Sequence, residues 1–278
     1  MPLQTLDTGL FKLDGGAMFG VVPKPLWQKL NPPDDLNRCT WAMRCLLYEQ
    51  GDQLLLVDTG IGDKQDAKFF GHYDLQGNAS LLGSIRAAGY DVTDVTDVLL
   101  THLHFDHVGG AVKRSGEDLT PVFSSATYWV HPDHWNWAIH PNPREKASFL
   151  RENILPLQES GQLKFLSENI FPYGDTYLLY VDGHTEKMAL PIFQMKGRKV
   201  AYMADLIPSS GHIPLPYIMS YDMRPLLTMD EKSRVLQQAA DENWILVFEH
   251  DPITEAATVE MTEKGIRIKE KGKLSELL

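Results

Sequence analysis

Three histidines and one aspartate, all able to bind metal ions, stand within six positions of the segment LLTHLHFDHVGG, residues 99–110. Neutral imidazole nitrogens and carboxylate oxygens suit zinc, which they bind at about 2.0–2.2 Å. If the segment leaves a strand, His102 and His104 project to the same side, because side chains alternate along a strand. Asp106 and His107 then stand where the chain turns, and the following glycines add no side-chain bulk beside a metal. The spacing predicts a metal-binding edge.

Three further predicted strands also end in a residue that can bind metal. They are YLLYVDGH, ending at His184, KVAYMAD, ending at Asp205, and WILVFEH, ending at His250. This repeated coincidence of a strand end with a metal-binding side chain favours a metal site built from several strands. The remaining histidines, taken singly, are better explained as solvated or hydrogen-bonded side chains; they are His72, His131, His134, His140 and His212.

The segments that must position these residues form one predicted α/β domain over residues 1–278, without a repeat, a linker or a break in composition. Apolar runs predict strands at 3–13, 41–49, 53–60, 95–100, 126–131, 177–184, 187–195, 199–205 and 244–250. Helical spacing predicts helices at 80–89, 131–139, 143–153 and 228–243. Residues 258–278 favour a closing pair of strands with a charged, solvated end.

Composition and charge argue against several classes of protein. The 278 residues are 43% apolar, enough for a large core, and the net charge of -11 without a basic cluster disfavours a nucleic-acid-binding surface. The first residues lack the pattern of a signal peptide, and no segment reaches the roughly 18 apolar residues of a membrane span. Cys39 and Cys45 would lie about 20 Å apart in one strand, too far for a disulfide. A cytoplasmic protein with reduced thiols is expected.

The histidine motif, with VDTG at 57–60 and with His184, Asp205 and His250 behind it, resembles the metallo-β-lactamase superfamily over nearly the whole chain. The resemblance implies an α/β fold, an αββα sandwich of two mixed β-sheets flanked by helices, with the metals at one edge. Asp58 resembles the family's aspartate that supports the ligand loop without binding metal; its alternative is an ordinary turn-forming residue.

The same resemblance implies two metal sites and hydrolytic chemistry. The first metal would be bound by His102, His104 and His184, the second by Asp106, His107 and His250, and Asp205 would bridge them. Asp106 and Asp205 are therefore also the expected catalytic carboxylates. Two Zn²⁺ are the expected cofactors, with Mn, Fe or Co as alternatives. Two such cations about 3.5–4 Å apart activate a shared water and polarise a carbonyl or phosphoryl oxygen, which implies hydrolysis by a bridging hydroxide.

Two stretches, residues 14–29 and 209–226, are similar to the branch that contains N-acyl-homoserine lactonases and methyl parathion hydrolases. The expected substrate pocket consists mainly of apolar and aromatic side chains from these stretches, with packing in the core as the alternative for each; they are Met18, Phe19, Trp27, His212, Ile213, Leu215, Tyr217 and Tyr221. Well-known lactonases carry a substrate-contacting tyrosine shortly after the bridging aspartate, whereas this chain reads DLIPSS from Asp205. Tyr217, Tyr221 or His212 could take that role.

These features predict a dinuclear zinc hydrolase, a lactonase or esterase with N-acyl-homoserine lactones as the leading substrates and quorum quenching as its role. One alternative is an organophosphate or aryl-ester hydrolase of the same branch. An alternative of another class is a metal-binding or ligand-sensing protein that kept the site without turnover. The expected partner is a small ester or lactone with an apolar tail, not a nucleic acid or a membrane, and a homodimer is left open.

Overall fold

The structure, a computed structural model, describes residues 2–167, 173–174 and 176–278. Its strands are β1 (Leu3–Asp14), β2 (Arg38–Gln50), β3 (Gln53–Val57), β4 (Asp97–Leu99), β5 (Val112–Ser115), β6 (Asp118–Pro121), β7 (Thr127–Val130), β8 (Leu163–Phe165), β9 (Tyr177–Val181), β10 (Met188–Met195), β11 (Arg198–Tyr202), β12 (Ile245–Val247), β13 (Ala256–Thr262) and β14 (Gly265–Gly272). Its helices are α1 (Gly15–Phe19), α2 (Lys24–Trp27), α3 (Ala67–Tyr73), α4 (Leu81–Ala87), α5 (Phe105–Val108), α6 (Pro132–Ile139), α7 (Arg151–Glu159), α8 (Pro225–Asp241) and α9 (Leu274–Leu277).

Most of the strands form two large sheets, and both sheets mix parallel and antiparallel pairs. The first has the order β1-β2-β3-β4-β7-β8, in which β3, β4, β7 and β8 pair in parallel while β2 pairs antiparallel with β3. The second has the order β14-β13-β12-β11-β10-β9, in which β11 and β12 are parallel and β12, β13 and β14 are antiparallel. The predicted α/β class with two mixed sheets is confirmed.

The chain divides into two compact units, and each unit is assembled from separate segments. Unit 1 comprises residues 1–9, 43–174 and 187–189, and unit 2 comprises residues 10–42, 175–186 and 190–278. The core of unit 1 is apolar: Leu56 and Val98 of its central strands are buried in one cluster with Ile85 of α4 and Leu157 of α7. Sheet strands buried in this way read as continuous apolar runs, which explains why they could be predicted.

The core of unit 2 forms where α8 packs on β13. Leu236 and Ala239 of α8 and Ala257 of β13 are fully buried. This helix starts at Pro225, earlier than the predicted residue 228, because proline is well tolerated in the first turn of a helix. In the described ranges, no helix has both the length and the apolar character that a bilayer span requires.

One predicted helix is misplaced. Residues 143–148 form turns, and α7 starts only at Arg151. The side-chain oxygen of Asn142 accepts hydrogen bonds from the backbone N–H groups of Arg144 and Glu145, at 3.0 and 3.1 Å, which favours a turn over a helix. The apolar spacing of residues 143–148 therefore belongs to a loop and not to a helix. The other predicted helices correspond to α4, α6 and α8.

Both cysteines are free and buried, as predicted. Cys39 and Cys45 are fully enclosed in β2, and the thiol of Cys39 donates to the carbonyl oxygen of Asn31 at 3.1 Å. Burial raises the pKa of the Cys39 thiol to about 11. This thiol is therefore protonated at neutral pH.

Candidate metal centre

The four candidate metal ligands of the histidine motif lie together in unit 1. The chain leaves β4 at Leu99, and His102 Nε2 lies 3.1 Å from His104 Nδ1. The rings of His102 and His107 have centroids 3.9 Å apart, and His107 Nε2 is 3.9 Å from a carboxylate oxygen of Asp106. All four are buried. The motif therefore gathers three imidazoles and one carboxylate at the end of a strand.

Leu103, between the first two histidines, is buried in the core of unit 1, as predicted, although β4 already ends at Leu99. Its backbone N–H donates to Nε2 of the buried His134 at 2.9 Å. His134 thus stabilises the backbone behind the motif. This is the hydrogen-bonded role expected for a histidine outside the motif.

Asp58 supports two of these histidines, His107 directly and His102 through Thr101. It directly follows β3 in a left-handed conformation with φ of 56°. Thr101 donates to it twice, through its backbone N–H at 2.8 Å and its hydroxyl at 2.7 Å. That hydroxyl lies 3.1 Å from His102 Nδ1, and His107 Nδ1 lies 3.2 Å from Asp58 itself. We call the nitrogen that faces these oxygens the outer nitrogen, here Nδ1, and the other ring nitrogen, here Nε2, the inner one. When the outer nitrogens donate, the inner nitrogens of both rings present lone pairs.

Glu145 has the same relation to His104. Its buried carboxylate lies 2.9 Å from His104 Nε2, and its other oxygen accepts from Trp137 at 2.7 Å and from Asn142 at 3.1 Å. The sequence predicts a helix over 143–153 and gives Glu145 no role in the site. No spacing signal marks it, since Glu145 lies 41 positions from His104.

The other three predicted ligands lie together in unit 2, after the ends of β9, β11 and β12. One oxygen of Asp205 is 3.0 Å from His184 Nε2, and the other is 3.1 Å from His250 Nε2. The outer nitrogens again have acceptors. His184 Nδ1 lies 2.8 Å from Asp222, and His250 Nδ1 lies 2.7 Å from the carbonyl oxygen of Ala42. Asp222 was also missed by the sequence analysis, because it is 38 positions from His184.

The donor groups fit a metal cation. Five buried histidines place the outer nitrogen beside an oxygen acceptor and turn the inner nitrogen toward another metal-binding group, an arrangement typical of metal-binding histidines. In the metal-free protein a proton can take the place of the metal. Burial opposes protonation of His184, but the carboxylates of Asp205 and Asp222 outweigh it and raise the pKa of His184 to about 10. The surroundings of His184 thus favour a positive charge.

Two glycines allow the loop after β3 to pack directly on the motif. A Cβ atom on Gly109 would lie 2.0 Å from the carbonyl oxygen of Ile61, and one on Gly110 would lie 2.1 Å from that of Thr59. The backbone N–H of Thr59 donates to the carbonyl oxygen of His107 at 2.7 Å. The glycines are therefore needed for contact between two backbones, in addition to the predicted lack of bulk near the metal.

The predicted pocket residues lie in unit 2, and most of them are buried; Met18, Phe19, Trp27, His212 and Ile213 are at most 2% exposed. Phe19 stacks on Trp27 at 5.4 Å and on His212 at 4.5 Å between ring centroids. Leu215 and Tyr221 are 38% and 36% exposed, and Tyr217 is half-buried. Solvent thus reaches the later part of the 209–226 stretch, whereas the earlier part packs inside.

His212 has both ring nitrogens in buried hydrogen bonds. Nδ1 lies 2.8 Å from the hydroxyl of Ser209, and Nε2 lies 2.9 Å from the carbonyl oxygen of Met18. Burial lowers the pKa of His212 to about 3, so the ring is neutral at physiological pH. His212 connects the 209–226 stretch to α1.

An aromatic cluster that the sequence did not predict lies beside Asp106 in unit 1. Phe69 and Tyr73 of α3 lie 5.4 and 4.7 Å from Phe105, measured between ring centroids. Burial and the nearby charge of Asp106 raise the pKa of Tyr73 to about 12. An aromatic surface therefore stands next to the second half of the histidine motif.

Known proteins are similar to this chain in sequence and in fold. The family model described as the metallo-beta-lactamase superfamily matches residues 44–250. A probable metallo-hydrolase of Mycobacterium tuberculosis is 28% identical over 279 aligned positions, covering 85% of each chain.

Two solved structures extend the comparison to the fold. A probable metal-dependent hydrolase from Staphylococcus aureus has a TM-score of 0.88 at 27% identity, covering 98% of this chain and 96% of its own. AidC, described as a dizinc quorum-quenching lactonase in complex with a product, has a TM-score of 0.79 at 23% identity, covering 98% and 95%. The fold expected from the sequence is confirmed by these likenesses.

Proposed function

Since the chain belongs to the metallo-β-lactamase superfamily and is a metal-dependent hydrolase, we propose that it is a dinuclear zinc lactonase or esterase. N-acyl-homoserine lactones are the leading substrates, and quorum quenching is the proposed role. The observation that carries the proposal is the carboxylate of Asp205, which places one oxygen against His184 and the other against His250. A carboxylate shared in this way suits two metals. The dizinc lactonase AidC, with its similar fold, supports the same assignment.

In this proposal each metal has its own histidines. The first would be held by His102, His104 and His184, the second by Asp106, His107 and His250, and Asp205 would contribute to both. When bound, two zinc ions lower the pKa of a water molecule and polarise the carbonyl group of an ester. The residues of the chain fix the direction of each ligand. Asp58, Glu145 and Asp222 do so by accepting hydrogen bonds from the outer nitrogens or from Thr101.

The acyl tail of the substrate is proposed to contact the solvent-exposed part of the 209–226 stretch, residues 215–221. Leu215, Tyr217 and Tyr221 supply apolar surface there, with hydroxyl groups on the two tyrosines. Each methylene that the tail buries contributes about 0.8 kcal/mol. His212 is a poor candidate for contact with the substrate carbonyl, because both its nitrogens are already hydrogen-bonded. Tyr217 and Tyr221 remain the candidates for that role.

A substrate panel on zinc-reconstituted protein tests the proposal. Elemental analysis should return about two metals per chain, since seven ligands exceed the four of one tetrahedral zinc. The value of kcat/KM for N-acyl-homoserine lactones should rise as the tail lengthens from four to about ten carbons. The panel also contains aryl esters, phosphotriesters, a glutathione thioester and a cephalosporin.

Each other outcome contradicts a defined part of the proposal. One metal per chain would exclude the dinuclear centre. Faster turnover of phosphotriesters or aryl esters than of any lactone, with no dependence on tail length, would favour the organophosphate or aryl-ester alternative. Fully metallated protein that hydrolyses no member of the panel would contradict the lactonase assignment.

A further inference from the structure

Helix α8 carries two adjacent charged residues that are both buried and that hold two different loops of unit 2. Glu231 is 6% exposed and Lys232 is fully enclosed. A buried charge is costly unless hydrogen bonds satisfy it. Both residues meet that requirement through backbone groups, and in each case the backbone belongs to a single short loop.

Glu231 holds the loop that precedes His184. Its two carboxylate oxygens accept from the backbone N–H groups of Asp182 at 2.8 Å and Gly183 at 3.0 Å. Gly183 packs so closely on α8 that a Cβ atom there would lie 2.4 Å from the backbone nitrogen of Thr228. The backbone leading into His184 is thus fixed to the helix.

Lys232 holds the loop that contains Leu215 and Tyr217. Its side-chain nitrogen donates to the carbonyl oxygens of Pro214 and Tyr217 at 2.9 Å each and of Leu215 at 3.4 Å. Burial lowers the pKa of Lys232 to about 7, so the three-donor ammonium form predominates below that pH. These three acceptors match the three N–H donors of a lysine. Within the loop, the backbone N–H groups of Tyr217 and Ile218 donate to the carbonyl oxygens of Pro214 and Pro216, at 3.0 and 3.1 Å. The side chain of Lys232 therefore links three carbonyl oxygens of this loop to one point on α8.

We propose that Lys232 is a positioning residue that determines substrate selectivity by holding the 213–218 loop in shape, separately from Glu231, which holds the loop of His184. The inference rests on the proposed function, because it takes the 213–218 loop as a wall for the acyl tail. In this proposal, Glu231 supports a metal ligand and Lys232 supports the substrate wall, although the two residues are neighbours on one helix.

The test compares two variants of the full-length, zinc-loaded enzyme. Lys232→Met keeps the apolar stem and removes the charge and the three donors. Glu231→Gln replaces one accepting oxygen by an amide N–H₂ group that cannot accept. If Lys232→Met does not fold, Lys232→Gln, which keeps two N–H donors on a shorter stem, replaces it in the same comparison.

The first measurement needs no substrate. Amide hydrogen exchange at Tyr217 and Ile218 should be about tenfold faster in Lys232→Met, because opening the loop no longer breaks three hydrogen bonds. Exchange at Asp182 and Gly183 should accelerate in Glu231→Gln instead. Unchanged exchange at Tyr217 and Ile218 in Lys232→Met would overturn the proposal, whether or not any lactone is hydrolysed.

The second measurement separates KM from kcat. In Lys232→Met, KM for the ten-carbon lactone should rise about tenfold more than KM for the four-carbon lactone, the effect of roughly 1.4 kcal/mol, while zinc leaves to a chelator more slowly than in Glu231→Gln. In Glu231→Gln, kcat should fall for every tail, zinc should leave faster to a chelator, and the dependence on tail length should persist. Equal effects of Lys232→Met on all tails would overturn the selectivity role. A wild-type enzyme inactive on lactones would contradict the proposed function and leave the exchange result intact.

Discussion

At the scale of single residues, the proposed ligands and the groups that orient them differ in how far the sequence reveals them. His102, His104 and His107 could be predicted because they share one short segment with fixed alternation. Glu145 and Asp222 could not, because a distant buried carboxylate has no local signal in the chain. Its presence beside a histidine is decided by tertiary packing, which brings together residues about forty positions apart.

Glu145 gives the first prediction at this scale. In Glu145→Gln, an amide N–H₂ group replaces one of the two carboxylate oxygens and cannot accept a hydrogen bond. In one orientation of the amide the bond from His104 is lost, and in the other the bonds from Trp137 and Asn142 are lost. We expect zinc affinity to fall about 10–100-fold, as for other groups that orient metal-bound histidines. Competition with a chromophoric chelator measures this.

The matched control is Glu159→Gln, an exposed carboxylate on α7, which should bind zinc like the wild type. An unchanged affinity in Glu145→Gln would show that His104 is oriented without its help.

At the scale of elements, the strands were the most predictable part of the fold and the loops around the site the least. Buried strands such as β3 and β12 carry continuous apolar runs, whereas residues 143–148 are compatible with a helix but form turns, where the side chain of Asn142 accepts from the backbone of Glu145. The aromatic residues of α3 were also missed, since none of the helix's residues is fully buried and its apolar side chains give no clear stripe.

The contact between the β3 loop and α5 gives the prediction for this scale. In Gly109→Ala, the new methyl group would lie 2.0 Å from the carbonyl oxygen of Ile61, so the loop or α5 must shift. Because α5 carries Asp106 and His107, we expect loss of the second metal and a lower melting temperature, by elemental analysis and calorimetry.

Gly71→Ala in α3 is the control, since a Cβ atom there meets no atom within 4 Å. Its metal content should match the wild type. A Gly109→Ala protein with two metals and unchanged melting would mean that the two backbones separate at little cost.

At the scale of the whole molecule, the sheets and the family could be predicted, whereas the assembly of each unit from separate segments could not. Residues 187–189 belong to unit 1 although their neighbours on both sides belong to unit 2. Apolar periodicity reports which face of a segment is buried and carries no information on which core receives it. The prediction of one domain over 1–278 stays a prediction.

The stability of the whole molecule should depend on pH through His212. Its folded-state pKa is about 3, against the ordinary value of 6.5, so between these values the unfolded chain binds one more proton than the folded one. The contribution of His212 to the free energy of unfolding should therefore fall by about 1.4 kcal/mol per pH unit on acidification below 6.5, and this contribution should not change with pH above 6.5. In denaturant titrations of the metal-free protein between pH 6.5 and 4.5, His212→Gln should reduce the slope. Equal slopes would contradict the burial of a neutral ring.

The enclosed thiols have a practical consequence for labelling. Because Cys39 and Cys45 are both fully enclosed, maleimide reagents should not react with them in the native protein. A cysteine introduced at the exposed position of Tyr221 would then carry a fluorophore alone, without first removing the natural ones. The chain is thus already suited to single-site spectroscopy of the stretch that the acyl tail is proposed to contact.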